Sequence, residues 1–140
     1  MYTKRYIDNY WTDDLIYIPD VIVFKSDESI PQLLEKSERY KVDVIVAAAP
    51  EFPDPDEEKY ETIMRQRINR ILDIAYNENP DVLILWAFGC WAFCNPPKLV
   101  AQYFKEELKN YDFWIVEFAV FCRDNSTNNN YEIFRNILNQ

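Results

Sequence analysis

Three cysteines are candidates for a chemical role in this chain, because thiolates act as metal ligands and as nucleophiles. They are Cys90, Cys94 and Cys122. The chain has no histidine, which excludes His-ligated zinc sites and catalysis by Ser-His-Asp or Cys-His groups. The cysteine spacing also differs from the C-x-x-C pattern of metal sites. We therefore expect small buried thiols and no metal site.

An acidic group lies after Pro53 and contains Asp54, Asp56, Glu57 and Glu58. Paired carboxylates can work as a general acid and a general base. These carboxylates, however, fall at the start of a predicted helix, where the helix dipole favours negative charge. We interpret them as a helix cap, and we expect no catalytic residue here.

Segment 88–95, FGCWAFCN, contains the single glycine of the chain, Gly89. It leads into Asn95-Pro96-Pro97, which is typical of a helix start with Asn95 as the cap. Backbone N–H groups at a helix N-terminus favour an anion, so this segment is a candidate binding loop. The simpler interpretation is that Asn95 only caps the helix and Gly89 only provides a turn with positive φ. Both interpretations stay open at this point.

Aromatic residues cluster around that glycine, namely Trp86, Phe88, Trp91 and Phe93. Such rings could form an aromatic cage for a ligand. Because they flank a predicted buried strand, we expect them to lie mostly in the core.

The elements that must position these residues follow from the hydrophobic pattern. Strands are predicted at 15–24, 42–49, 82–88 and 113–121, and helices at 56–79, from Asn95 onwards and at 131–138. Pro19 interrupts the first strand and implies either an edge position or a bend, because proline cannot donate to a ladder. The 42–49 run is continuously apolar, which suits a strand buried on both faces of a parallel sheet. Three arginines of the first helix, Arg65, Arg67 and Arg70, are expected on its surface.

This order of elements predicts an α/β fold, a three-layer α/β/α arrangement with a mostly parallel sheet, in one domain over 1–140. Ligands of such sheets bind beyond the carboxyl ends of the strands. The loops at 47–52, 88–95 and 121–125 meet that description.

The composition excludes several classes of protein. The chain has 140 residues and a net charge of −9, which argues against binding to nucleic acid. A single glycine excludes phosphate loops of the Walker or G-x-G-x-x-G type. No apolar run approaches the roughly 20 residues of a membrane span, and no signal peptide is visible. We expect an intracellular, cytoplasmic protein without a membrane partner.

Several segments, taken together, match the motifs of one enzyme family. They are 10–25 (YWTDDLIYIPDVIVFK), 44–50 (VIVAAAP), 67–75 (RINRILDIA), 83–95 (LILWAFGCWAFCN) and 116–121 (VEFAVF). In the same order, they resemble the motifs "Y-T-D-x-x-I-Y-S-P-x-V-x-V-F-R", "V-I-T-A-A-A-P-N", "R-I-x-x-I-L-x-I-A", "L-V-L-G-A-W-G-C-G-V-F-x-N" and "V-x-F-A-V-Y/F" of the microbial-type poly(ADP-ribose) glycohydrolases. The resemblance implies a truncated macrodomain-like fold that corresponds to the C-terminal half of such enzymes.

The resemblance also implies a set of ligand-binding residues. Gly89, Cys90, Ala92 and Phe93 match the family's diphosphate loop, and Phe121 matches an aromatic residue near the adenosine. Trp91 stands where the family has glycine, so its indole either plugs the loop or provides a new stacking surface.

Other departures concern catalysis. The family's "G-G-G" loop and its "Q-E-E" element, which carries the acid, have no counterpart in this sequence. Trp86 also replaces a family glycine, and Glu51 replaces the asparagine that follows Pro50.

These observations leave three functions open. The first is a degenerate, non-catalytic module, a pseudoenzyme, that binds ADP-ribose or a related nucleotide through 88–95. The second is a structural or oligomer-forming interaction domain whose pocket is filled by Trp86 and Trp91. The third is a poly(ADP-ribose) glycohydrolase half completed by another chain. Because half of the sheet would be missing, we also expect a homo-oligomer or a protein partner that covers it, and we expect no cofactor.

Overall fold

The structure is a computed structural model that describes residues 14–52, 56–120 and 130–139. Its backbone separates into two units, of which one is Leu15–Val46 and the other contains the described residues from Ala47 onwards. Each unit is considered by itself.

The first unit is an antiparallel hairpin of β1 (Ile16–Val23) and β2 (Tyr40–Val46). The predicted bend at Pro19 is confirmed, since the pairing shifts between Ile18 and Val21. Pro19 and Asp20 together lie opposite Asp43, which is the arrangement of a β-bulge.

Asp43 holds this bulge in place. Its Oδ1 accepts a hydrogen bond from the backbone N–H of Asp20 at 2.8 Å, and its Oδ2 accepts one from the Tyr17 hydroxyl at 2.7 Å. These two bonds stabilise the carboxylate, the Tyr17 bond most, and lower the pKa of Asp43. Asp20 itself has φ 59°, in the left-handed region.

The bulge determines which side chains share a face of the hairpin. The pairs Ile16–Val46, Ile18–Val44, Val21–Val42 and Val23–Tyr40 lie on one face, which we call the apolar hairpin face. Without the bulge, Val21 and Val23 would point to the opposite face, because side chains alternate along a strand. Every side chain of the apolar hairpin face is exposed or half-exposed.

The prediction for 42–49 was wrong in its pairing. β2 pairs antiparallel with β1, and none of its residues is fully buried. An apolar run does not reveal the direction of its partner strand. The helical structure of the connection 24–39 is limited to a short 3₁₀ turn, Lys36–Glu38, so it lacks the crossover helix that a parallel neighbour requires.

The second unit follows the predicted alternation of strands and helices. Its elements are α1 (Glu57–Glu78), β3 (Leu83–Leu85), α2 (Pro97–Glu107), β4 (Val116–Phe118) and α3 (Asn130–Leu138). β3 and β4 are parallel, as expected, with Leu83 opposite Val116. They are shorter than predicted, because only these central residues form a ladder. In β3, Leu83 and Leu85 are buried while Ile84 is exposed, so this strand is buried on one face only.

The core of the second unit lies between the helices and β4. Its fully buried apolar side chains include Met64, Ile68, Leu72, Val100, Phe104 and Phe134. The ring of Phe118 lies 5.4 Å from that of Phe104 and 5.7 Å from that of Phe134, which joins β4 to α2 and α3. The helical periodicity of the sequence predicted the buried faces of α1 and α2.

The predicted surface position of the three arginines is confirmed only for Arg70. Arg67 is 2% exposed and donates from Nη1 to the carbonyl of Ala48 at 2.8 Å. Arg65 joins α1 to α2, because its guanidinium contacts Glu106 at 2.7 Å and Glu107 at 3.0 Å. The periodicity placed these residues off the apolar stripe, but it could not anticipate acceptors on other elements.

The observed architecture is an α/β fold with small sheets and three helices in the described ranges. One sheet is parallel and the other is antiparallel, so the mostly parallel sheet is confirmed only for β3 and β4. The three-layer arrangement and the single domain stay predictions. Among the helices described, none is long and apolar enough to cross a membrane.

Candidate functional site

The candidate loop lies between the end of β3 and the start of α2, beyond the carboxyl end of the strand, where a ligand site was expected. Two consecutive turns shape it. The N–H of Cys90 donates to the carbonyl of Ala87 at 3.0 Å, and the N–H of Cys94 donates to the carbonyl of Trp91 at 3.3 Å.

Asn95 fixes the base of this loop. Its side chain, 1% exposed, donates from Nδ2 to the carbonyls of Pro50 at 2.9 Å and Gly89 at 3.1 Å. Its Oδ1 accepts a hydrogen bond from the Tyr60 hydroxyl at 2.7 Å. The expectation that Asn95 caps α2 was therefore wrong: the N-cap is Pro96, with no side-chain cap bond, because the Asn95 amide is used between loops.

Gly89 is the residue that allows this packing. Its φ is +69°, which confirms the predicted turn with positive φ. A Cβ at this position would overlap with the amide nitrogen of Asn95 and with the Cβ of Ala49. The absence of a side chain therefore lets the loop lie against the segment that follows β2.

Two of the three predicted ligand loops are joined in the structure. The N–H of Phe52 donates to the carbonyl of Phe93 at 2.9 Å, in addition to the Asn95–Pro50 bond. The ring of Phe52 also packs edge-on against Tyr60, with centroids 5.2 Å apart. The third loop, with Phe121 and Cys122, lies outside the described residues.

The outer part of the loop presents backbone donors. The N–H groups of Trp91 and Ala92 donate to no acceptor within the part of the chain that the structure describes, and both residues are exposed. Successive N–H groups in a turn can form an anion-binding concavity. At the start of α2, Pro96 and Pro97 lack an N–H, so the helix adds donors only from the residues that follow them.

The thiol of Cys90 is not a nucleophile here. It is half-buried, with its Sγ 3.8 Å from the carbonyl of Phe88. Burial raises the pKa of Cys90 to about 12, so it is protonated at neutral pH. The expected burial of the thiols is wrong for Cys94, which is exposed because the turn at 91–94 directs it outwards. Within the described ranges, no group of Cys, Asp or Glu residues could hold a metal ion.

The aromatic residues around Gly89 divide into two sets. Phe88 is 5% exposed and belongs to the core, as expected. Trp86 is 56% exposed and Trp91 is 83% exposed. The hypothesis that the two indoles fill a pocket was therefore wrong, as was their assignment to the core. Trp86 follows the buried Leu85 and, by the alternation of a strand, points away from the buried face. Trp91 is the first residue of the second turn, outside the strand.

Sequence reasoning missed Tyr60, Ala49 and the buried role of Asn95. The sequence did contain a signal that Asn95 is important, because it is the last residue of segment 83–95, which matches a family motif. Nothing local in the sequence indicated that Tyr60 of α1 would supply its hydrogen-bond donor.

No protein-family model and no curated protein matches this sequence. Solved structures do match it. The chain is similar to the poly(ADP-ribose) glycohydrolase of Deinococcus radiodurans in complex with ADP-ribose, with a TM-score of 0.82 and 31% identity. It is also similar to the enzyme of Thermomonospora curvata, with a TM-score of 0.80 and 30% identity. A structure of the latter enzyme bound to the inhibitor ADP-HPD gives a TM-score of 0.79 and 31% identity.

These matches cover most of this chain but only part of the others. The D. radiodurans match covers 94% of this chain and 55% of that enzyme's chain. The two T. curvata matches cover 93% and 92% of this chain, and 49% and 50% of the other. The chain therefore has a partial poly(ADP-ribose) glycohydrolase-like fold, which confirms the resemblance, and it spans about half the length of these structures. Its correspondence to the C-terminal half stays a prediction.

Proposed function

We propose that this chain is a non-catalytic module that binds ADP-ribose or a related nucleotide through loop 88–95. The observation that carries the proposal is the pair of N–H groups at Trp91 and Ala92, which have no acceptor among the residues that the structure describes. They are presented by a loop whose base is fixed by Asn95 and Gly89. Such a loop offers preorganised donors to a diphosphate, so little ordering is required on binding.

The solved structures support the choice of ligand. The D. radiodurans enzyme is in complex with ADP-ribose, and one T. curvata structure holds the inhibitor ADP-HPD. This chain has the same fold over about half of their length. Within the loop, Gly89, Cys90 and Phe93 match the family motif, and the structure describes all three residues.

The absence of catalysis is the second part of the proposal. Loop 88–95 contains no Asp, Glu or Lys, and its Cys90 thiol is neutral at physiological pH. Glycosidic cleavage requires a proton donor and an activated water or nucleophile. The sequence also lacks the family's "Q-E-E" element.

Trp91 is assigned to the nucleotide as a stacking surface. Its indole is 83% exposed, in the same turn as the N–H groups of Trp91 and Ala92. Stacking of a base on an exposed indole contributes about 1–3 kcal/mol. Trp91 stands where the family has glycine. The nucleotide would then contact the indole ring and would lie less close to the loop backbone.

Calorimetric titration with ADP-ribose tests both parts of the site. We expect ADP-ribose to bind and adenosine, which lacks the diphosphate, to bind at least tenfold more weakly. Trp91→Ala should weaken ADP-ribose binding about tenfold, within the range of one lost stacking contact. The matched control is Trp114→Ala, since Trp114 is 86% exposed and lies before β4, away from the loop.

Absence of heat at millimolar ADP-ribose would refute the binding proposal. Release of free ADP-ribose from poly(ADP-ribose) by this polypeptide alone would refute the non-catalytic part. Activity that arises only with a second polypeptide would favour the alternative of a glycohydrolase half completed in trans.

The interaction function is favoured by a different observation, the exposed apolar hairpin face. A continuous apolar face of this kind marks a protein contact in soluble proteins. This second function uses side chains of β1 and β2 and none of loop 88–95, so the two functions do not compete for the same residues.

A further inference from the structure

The parallel pair of β3 and β4 carries helices on one of its two faces. On that face, the Phe118 ring contacts Phe104 of α2 and Phe134 of α3. α1 adjoins α2, because its Arg65 pairs with Glu106. Parallel sheets occur almost only in folds that cover both faces of the sheet with helices. Among the described residues, a covering element is therefore missing on the opposite face.

That opposite face, which we call the outer sheet face, is exposed and mostly apolar. Alternation along β3 places Ile84 there, 59% exposed. Ile84 lies opposite Glu117 in the ladder, and hydrogen bonds of Ile115 and Ala119 to β3 continue the pairing at both ends. The outer sheet face consists of Val82, Ile84, Trp86, Ile115, Glu117 and Ala119, all of them exposed. A contiguous apolar patch of this kind marks a contact surface.

The charge of the outer sheet face indicates what kind of partner fits it. Glu117 lies opposite Ile84, and its carboxylate has no ion-pair partner among the residues that the structure describes. The chain as a whole has a net charge of −9. Both charges favour a basic partner. A second copy of this chain would instead bring more negative charge to the face.

The solved structures contain enough additional chain for a second helical layer. The match covers 55% of the D. radiodurans chain and 49% of the T. curvata chain, so about half of each enzyme lies outside it. One helix is sufficient for the outer sheet face. Residues 82 to 86 span roughly 13 Å of strand, and a helix covers that length in about nine residues.

We infer that the outer sheet face binds an amphipathic helix of a second polypeptide, in which lysine or arginine flanks the apolar stripe. The stripe packs on Ile84 and Trp86, because its i, i+3, i+4 spacing presents one continuous apolar surface. A flanking basic side chain reaches Glu117 while its methylene stem lies along the apolar face. Trp86 is the expected anchor, since tryptophan dominates the energetics of many interfaces.

Calorimetric titration with a synthetic peptide of leucine and lysine tests this inference. The peptide has about 18 residues, enough to form a helix, with its leucines along one face. An ionic strength of about 0.15 M screens exposed charges. We expect this peptide to bind. A peptide of the same composition, with its leucines scattered around the helix, should bind more weakly by roughly tenfold or more. A leucine–glutamate peptide with the same stripe should also bind more weakly.

Variants of the chain locate the binding surface. Ile84→Lys should weaken binding of the striped leucine–lysine peptide by roughly tenfold or more. Glu117→Gln should weaken it about two- to fivefold, the range of one exposed ion pair. The matched control is Ile18→Lys, on the apolar hairpin face, which should leave peptide binding unchanged. Ile18 is exposed, as Ile84 is, so neither lysine enters the core.

Three results would overturn the inference. The first is equal binding of the striped and scattered leucine–lysine peptides, and the second is an equal loss of binding in Ile84→Lys and Ile18→Lys. The third is a dimer in light scattering that Ile84→Lys dissociates, without peptide binding, because a second copy would then be the occupant. Ile84→Lys should leave ADP-ribose binding unchanged, so the result is independent of whether loop 88–95 binds a nucleotide.

Discussion

The side chain of Asn95 illustrates how a single buried amide can organise a binding loop. Its nitrogen contacts two carbonyls and its oxygen contacts one hydroxyl, all within 3.1 Å. Removal of the amide would cost the Pro50 carbonyl, the Gly89 carbonyl and the Tyr60 hydroxyl one hydrogen bond each. Burial of a polar group without a partner costs about 1–3 kcal/mol, so the loop conformation depends on this residue.

Replacement of Asn95 by leucine is therefore expected to destabilise the protein. The variant Asn95→Leu keeps the volume but leaves the Pro50 carbonyl and the Tyr60 hydroxyl without their partner. The free energy of unfolding should fall by about 2–4 kcal/mol, as measured by urea denaturation.

Asn77→Leu is the matched control, because Asn77 is exposed on α1. It should change the free energy of unfolding by less than about 0.5 kcal/mol. Similar stabilities of the Asn95 and Asn77 variants would contradict the role assigned to Asn95.

Among the elements, the β1–β2 hairpin shows how one extra residue changes a whole face. The bulge at Pro19 and Asp20 places Val21 and Val23 beside Ile16 and Ile18. It does so at a cost, since Asp20 has φ 59° and a left-handed conformation disfavours residues with a Cβ. Asp43 compensates by accepting the Asp20 N–H.

A pair of substitutions at Asp20 tests this account of the hairpin. Asp20→Val should lower stability by about 1–2 kcal/mol relative to Asp20→Gly, because a β-branched residue is strained in the left-handed region and glycine is not. Both variants lose the exposed Lys41–Asp20 ion pair, so that contact cancels in the comparison.

Thermal unfolding of the two Asp20 variants gives the measurement. Equal unfolding midpoints for Asp20→Val and Asp20→Gly would contradict the left-handed conformation that the bulge gives to Asp20.

The molecule as a whole combines a net charge of −9 with an exposed apolar hairpin face. These two properties oppose each other: repulsion keeps copies apart, while apolar contact brings them together. The expected homo-oligomer or protein partner stays a proposal that rests on this face. Because salt screens the repulsion, association should increase with ionic strength.

Lysine substitutions on the two faces of the hairpin separate the possible causes of association. Ile18→Lys, on the apolar hairpin face, should reduce the mass measured by light scattering at high salt and protein concentration. Ile22→Lys is the control, since Ile22 is 54% exposed but lies on the opposite face, beside Lys41. A strictly monomeric mass of the unmodified chain at high concentration would refute self-association.

The sequence by itself determined the features that depend on near neighbours along the chain. Helical spacing of apolar residues and the acidic group at the helix start predicted a helix at 56–79, and α1 extends from Glu57 to Glu78. The single glycine marked a turn with positive φ, and the motifs at 83–95 and elsewhere identified the fold that the solved structures share. Composition alone excluded histidine-dependent chemistry.

Only the tertiary structure decided features that depend on residues distant in sequence. The direction of β2 pairing, the burial of Arg67 and the use of Asn95 between loops all require partners that no local pattern specifies. The exposure of Trp91 was decided in the same way, since an aromatic residue favours burial equally in any fold until the elements are placed. The physical reason is that periodicity and caps act over a few residues, whereas pairing and hydrogen-bond satisfaction act across the folded chain.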